Sequence, residues 1–95
     1  MHVITKKRPH EFTCRHPDCS GALTSWYRIV KRTDFSTFVE LRQTFPSADQ
    51  VGRLTVFNVG GNKARIIAAI HYNRRRIYIR HVLTHAEYDR GDWRK

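Results

Sequence analysis

Acidic residues are scarce in this chain, and between Gln50 and Ala86 there are none. The same stretch holds seven basic residues: Arg53, Lys63, Arg65, Arg74, Arg75, Arg76 and Arg80. Over 95 residues, 18 Lys and Arg stand against 8 Asp and Glu, a formal charge of +10. Such an excess repels itself and favours an acidic partner. RNA or DNA is the first to consider, because phosphate neutralisation supplies most non-specific affinity. Long apolar runs are missing too. None approaches the roughly 18 residues of a spanning helix, so no membrane role is expected. Met1 to Lys7 lacks the apolar core of a signal peptide, which predicts a cytoplasmic location. Cysteine is limited to Cys14 and Cys19. In that compartment they are reduced thiols rather than a structural disulfide.

Length predicts one domain over residues 1–95. A chain of this size buries only about 60–65% of its unfolded surface, which leaves room for one small core. Internal repeats, low-complexity tracts and domain linkers are absent from the sequence. Residues 1–5 read as a short strand. Pro9 suits the first turn of a helix that ends near Pro17. Asp18 or Ser20 can cap the next helix. There Leu23, Trp26, Tyr27 and Val30 fall at i, i+3, i+4 and i+7, one apolar stripe. Arg28, Lys31 and Arg32 take the wet side. Thr37 and Glu40 have capping-box spacing, and Phe38, Leu41 and Phe45 form a short helix that Pro46 stops. Residues 46–53 read as a polar linker.

Beyond Arg53 the apolar period changes to two. Leu54 to Val59 is a strand, and Gly60-Gly61-Asn62 signals a hairpin, since these residues tolerate positive φ. Arg65 to Tyr72 and Arg76 to Leu83 are further strands, joined by a turn at Asn73-Arg74-Arg75. The order predicts an α+β layer: N-terminal helices on one face of a small, mostly antiparallel sheet. Alternation places Ile66, Ala68, Ile70 and Tyr72 on the core face, with Ile77, Ile79 and Leu83, and His81 as the odd member. The opposite parity holds Arg65, Ile67, Ala69 and His71, with Arg76, Tyr78, Arg80 and Val82. Cations beside an aromatic and a histidine on one open face suit RNA. They equally suit a solvated surface, and the Arg74-Arg75-Arg76 run taken alone is a weak signal.

After the last strand comes Thr84-His85-Ala86-Glu87-Tyr88-Asp89. These residue types suit RNA cleavage without a metal. Histidine moves a proton near neutral pH. Arginine stabilises charge developing on phosphate. Tyrosine stacks on a base or helps a proton transfer. The bland reading is that His85 bonds the strand end, Tyr88 closes a core edge and Asp89 pairs with an arginine.

The run Val56-Phe57-Asn58-Val59-Gly60-Gly61-Asn62-Lys63-Ala64-Arg65 is followed by His71-Tyr72-Asn73, Tyr78-Ile79-Arg80 and the terminal cluster. Together with Leu41-Arg42, Phe45-Pro46-Ser47-Ala48-Asp49 and Trp93, these motifs closely resemble the HigB family of toxins, within the RelE/ParE-like superfamily. The likeness is strongest from about Leu41 to Trp93. It implies a RelE/ParE-like fold and the toxin of a type II toxin–antitoxin module. The implied activity is a metal-independent endoribonuclease, an mRNA interferase that acts on the translating ribosome. It leaves a 2′,3′-cyclic phosphate and a 5′-hydroxyl. The implied partners are mRNA, the ribosome and a HigA-type helix-turn-helix antitoxin; no cofactor is implied.

Carried over by position, Arg65 matches a strand arginine that contacts the scissile phosphate. His85 and Tyr88 fall at the acid/base and stacking positions, and Arg80 adds charge. Lys63, His71, Arg74, Arg75, Arg76 and Tyr78 complete the expected RNA surface. RelE has lysines on the strand corresponding to Leu54–Val59, whereas here that strand offers only Asn58. His85 or His71 would then serve as general base. Two other readings compete. The ParE branch poisons DNA gyrase and cuts nothing. Separately, His10, Cys14, His16 and Cys19 have zinc-ligand types at compact spacing, but without a second cysteine pair and with Pro17 among them.

Overall fold

The computed structural model describes residues 1–4, 16–61 and 63–94. The helix expected between Pro9 and Pro17 falls almost wholly outside them, as do His10 and Cys14. The described elements are strand β1 (His2–Ile4), helices α1 (Ser20–Arg32) and α2 (Phe38–Thr44), and strands β2 (Asp49–Val51), β3 (Leu54–Val59), β4 (Ala64–His71) and β5 (Arg76–Thr84). Helix α3 (His85–Arg90) follows. The sheet order is β1-β5-β4-β3-β2. β1 runs parallel to β5 and the other pairs are antiparallel. This is the α+β class the sequence predicts, and it is consistent with a RelE-like fold.

Helix α1 buries Leu23, Trp26 and Val30 on the sheet, with Tyr27 half-buried beside them. Trp26 and Phe45 each meet Phe57 edge-on, at 5.2 Å between ring centroids. Neither Asp18 nor Ser20 caps α1 with its side chain. A 3-10 turn over Pro17–Cys19 runs directly into the helix, and the Ser20 N–H donates to the Pro17 carbonyl. A continued turn supplies an acceptor that a capping side chain otherwise provides. At the far end of α1, the Met1 ammonium donates to the carbonyls of Val30 and Thr33, both at 2.7 Å. That contact satisfies carbonyls at the helix end and draws β1 against it.

Three sequence expectations are corrected. Residues 46–53 are not simply a linker: Asp49–Val51 pairs with β3, and Gly52 takes φ 61° in the turn between them. Asp49 and Gln50 are exposed at the sheet edge, and an edge strand with polar side chains has no apolar alternation to reveal it. The parity of β5 also reverses near its end. Ile67 pairs with His81 but Ala68 pairs with Ile79, so Arg80 is an extra residue, a β-bulge. Beyond a bulge the alternation shifts by one. Val82, expected outside, is therefore in the helix-side core, and Leu83, expected inside, packs on the opposite face.

That opposite face is not open throughout, which is the third correction. Ile67 there has 0% exposure. Val56, Ile67 and Trp93 form a second apolar cluster, with Val51, Leu54, Leu83 and Tyr88 packed against it. Gly91, at φ 76°, ends α3 and lets the chain fold back. The Trp93 indole then donates to the Tyr88 carbonyl at 3.0 Å and stacks on the Tyr88 ring, with centroids 5.2 Å apart and planes 14° apart. Among the described residues, no helix is long and apolar enough to cross a membrane.

Candidate active site

Three of the sequence-predicted residues meet at the α3 end of the outer face. Arg65 stands on β4 opposite Asn58 on β3 and Leu83 on β5. It is only 9% exposed. Burying a guanidinium is costly unless its donors are used, and here they are. Nη1 donates to Asn58 Oδ1 and, at 3.5 Å, to the Ala64 carbonyl. Nη2 lies 3.0 Å from His85 Nδ1. The guanidinium carbon sits 5.6 Å from the centroid of the Tyr88 ring, within cation–π range. Arg65, His85 and Tyr88 thus form one constellation; Arg80, expected beside them, is not among these contacts.

The local sequence explains how α3 presents His85 and Tyr88. Thr84 is the N-cap: its hydroxyl accepts from the Glu87 N–H at 3.2 Å, and the Glu87 carboxylate accepts from the Thr84 N–H at 3.0 Å. This reciprocal capping box starts a helix at His85. His85 and Tyr88 are then three residues apart and share a face. Asp89, four residues on, lies beside His85 as well, with Oδ2 3.2 Å from Nε2.

Arg80 is exposed, at the bulge three residues before Leu83. It lies along β5 from the constellation rather than within the contacts just described. The expected RNA-binding residues divide between two ends of the sheet. Lys63 lies in the β3–β4 turn near the constellation, 3.9 Å from Asp18. His71, Arg74, Arg75, Arg76 and Tyr78 lie at the other end. His71 and Tyr78 form an edge-to-face pair with centroids 5.1 Å apart, and Arg75 is 3.8 Å from Asp34. Arg65 and His71 are six residues apart on one strand, roughly 20 Å by strand rise. The ion pairs of Lys63 and Arg75 are exposed. Such pairs contribute about 1 kcal/mol at most and leave the cations able to meet a polyanion.

Asn58 and Asp89 were not singled out as site residues from the sequence. Both carried a signal. A hairpin closing at Gly60-Gly61 sets Asn58 opposite Arg65. The Thr84–Glu87 spacing is itself a capping box, which places Asp89 one turn from His85. As for zinc, no group of three or more His, Cys, Asp or Glu that could hold a metal occurs among the described residues. Cys19 is free and buried. Burial, and secondarily the Asp18 carboxylate, push its thiol above the ordinary range.

Comparison with known proteins bears on the same region. The family model for HigB toxins, the RelE-like toxic component of a toxin–antitoxin system, matches residues 19–91. The mRNA interferase HigB of Escherichia coli O6:H1 is 41% identical over 93 residues, which cover 95% of this chain and 90% of that protein. The mRNA interferase toxin HigB of Escherichia coli K12 is 35% identical over 92 residues, covering 94% of this chain and 88% of its own length. The mRNA interferase HigB of Shigella flexneri matches with the same identity and coverage. The matched span carries α1, the sheet from β2 to β5 and the whole Arg65–His85–Tyr88 constellation, and on that likeness the chain belongs to the HigB family of toxins.

Proposed function

We propose that residues 1–95 form a single toxin domain with the activity of an mRNA interferase, cutting messenger RNA on the translating ribosome in the cytoplasm. The observation that carries this reading is the convergence of Arg65, His85 and Tyr88. A charge-stabilising group, a proton-transfer group and a stacking ring surround one point, within 5.6 Å of the guanidinium. Those are the roles RNA cleavage needs when the 2′-hydroxyl is the nucleophile. The 2′-oxygen bonds to phosphorus as its proton leaves, and the P–O5′ bond breaks. The 5′-oxygen takes up a proton. The products are a 2′,3′-cyclic phosphate and a 5′-hydroxyl. Arg65 meets the developing phosphorane charge. His85 moves the proton. Tyr88, backed by the stacked Trp93, holds the guanidinium in place through its ring.

The distal residues His71, Arg74, Arg75, Arg76 and Tyr78 extend the RNA contact, with Lys63 at the near end. Trp93 covers the middle of the outer face, so a strand reaching both ends passes along β5. Arg80 stands on that path. A HigA-type helix-turn-helix antitoxin neutralises the toxin, as membership of a toxin–antitoxin family suggests.

Primer extension on mRNA from cells induced for this protein tests the reading. Discrete new 5′ ends within translated regions support it. Growth arrest with intact transcripts and inhibited gyrase would instead favour a ParE-like poison. His85→Ala should lower the cleavage rate by about 10²-fold or more, as for a lost general acid or base. An unchanged rate on programmed ribosomes removes His85 from the proton transfer.

A further inference from the structure

The two ring nitrogens of His85 are engaged by groups of opposite kind. Arg65 Nη2 is 3.0 Å from Nδ1, and a guanidinium has only donors. Nδ1 must therefore accept, and carries no hydrogen in this arrangement. Asp89 Oδ2 is 3.2 Å from Nε2, and a carboxylate only accepts. Nε2 must therefore carry the hydrogen. Two contacts thus select one tautomer and one ring orientation. The unprotonated nitrogen faces the guanidinium and the phosphate position, and the protonated one faces away.

Resting on the nuclease reading above, we propose that Nδ1 of His85 is the proton-accepting atom and that Asp89 is its positioning residue. When the scissile phosphate takes the guanidinium, Nη2 leaves Nδ1. The freed lone pair then takes the 2′-hydroxyl proton as the 2′-oxygen bonds to phosphorus; the P–O5′ bond breaks and the departing 5′-oxygen takes its proton from solvent water. Asp89 touches neither RNA nor phosphate in this scheme. It holds the Nε2 hydrogen, so that Nδ1 stays free to accept. The geometry depends on α3, because only a helix beginning at His85 puts Asp89 one turn along the same side. Among the described residues, Arg65 from β4 and Asp89 from α3 face the His85 ring, and Tyr88 lies against the Arg65 guanidinium.

The experiment combines nitrogen-15 NMR of labelled histidine side chains with cleavage of mRNA on programmed ribosomes. His85→Gln identifies the His85 signals among the six histidines. In the wild type the neutral ring should show a protonated Nε2 and a bare Nδ1. Asp89→Ala, which removes the acceptor of the Nε2 hydrogen, should shift the ring toward the Nδ1–H form and lower kcat by about tenfold or more with KM little changed. Asp89→Glu, which keeps an accepting carboxylate, should recover part of both signals. A wild-type ring protonated at Nδ1 overturns the proposal. So does an Asp89→Ala variant with unaltered tautomer and kcat. If the wild type cuts no RNA at all, the nuclease reading fails and this proposal with it. A cutting enzyme indifferent to Asp89 removes only the positioning role.

Discussion

Replacing Arg65 by lysine keeps the charge and removes the fork. The guanidinium serves three acceptors in different directions: Asn58 Oδ1, the Ala64 carbonyl at 3.5 Å and His85 Nδ1 at 3.0 Å. A single ammonium on a flexible stem cannot reproduce that set. Losing one hydrogen bond to a charged group costs about 1.5–3 kcal/mol. A domain of this size has a stability on the order of 5–15 kcal/mol, so the variant should still fold. Its melting temperature should fall by about 10 °C. Activity should suffer more than the fold. Withdrawing one preorganised donor from a developing oxyanion costs about 10²–10³ in rate, or roughly 2.7–4 kcal/mol. Thermal unfolding by circular dichroism gives the first quantity, and primer extension on programmed ribosomes gives the second. A folded Arg65→Lys variant that cuts within about threefold of wild type would refute the reasoning, since charge alone would then suffice where two-pronged geometry is claimed.

Trp93→Ala removes an indole that is 6% exposed against Val56 and Ile67, at a cost of about 3–5 kcal/mol for a buried Trp. The urea midpoint should fall accordingly, and an unchanged midpoint would show that the outer-face cluster adds nothing to stability. Cys19 is 3% exposed, and its thiol is pushed up by burial and by Asp18. At neutral pH its thiolate fraction is below that of an exposed cysteine. Native protein should therefore alkylate slowly at Cys19, faster as pH rises, and rapidly in denaturant. Peptide mapping by mass spectrometry reads this directly, and a native rate equal to that of a free thiol contradicts it.

The sheet from β3 to β5 was legible because each apolar alternation is bounded by a turn signal. Its ends were not equally so. A bulge adds one residue without any sequence mark, and Arg80 is no less suited to a regular strand than to an irregular one. Parity arguments are therefore sound for Arg65, whose own strand β4 carries no extra residue, and for Tyr78, which precedes the bulge on β5, and they fail for Val82 and Leu83, which follow it. β2 was missed because an edge strand needs only one good partner and little apolar surface. Arg65, His85 and Tyr88 were legible as candidates from residue type and order. Their partners were not read out, although a hairpin register and a capping box would have reached Asn58 and Asp89. The separation of the distal arginines from the constellation follows from strand length: a face that alternation makes common can still be about 20 Å long.

The location of Arg65 explains why the constellation is built as it is. On an outer face a guanidinium ordinarily rests in water, where it reorganises freely and stabilises a new charge weakly. Tyr88, with Trp93 stacked on its ring, takes that water away from one side. In the drier setting each charge–dipole contact is stronger, but the donors must then be matched. Asn58 and the Ala64 carbonyl hold Nη1 from the strand side, so the plane of the group is set before any ligand arrives. Nη2 is left toward His85, which is carried by α3 rather than by the sheet. A phosphate oxygen that replaces the His85 nitrogen there meets a donor already aimed, and electrostatic stabilisation is greatest when the reorganisation has been completed beforehand. The same exchange exposes Nδ1 when the phosphate is seated, which couples binding of the substrate to release of the base.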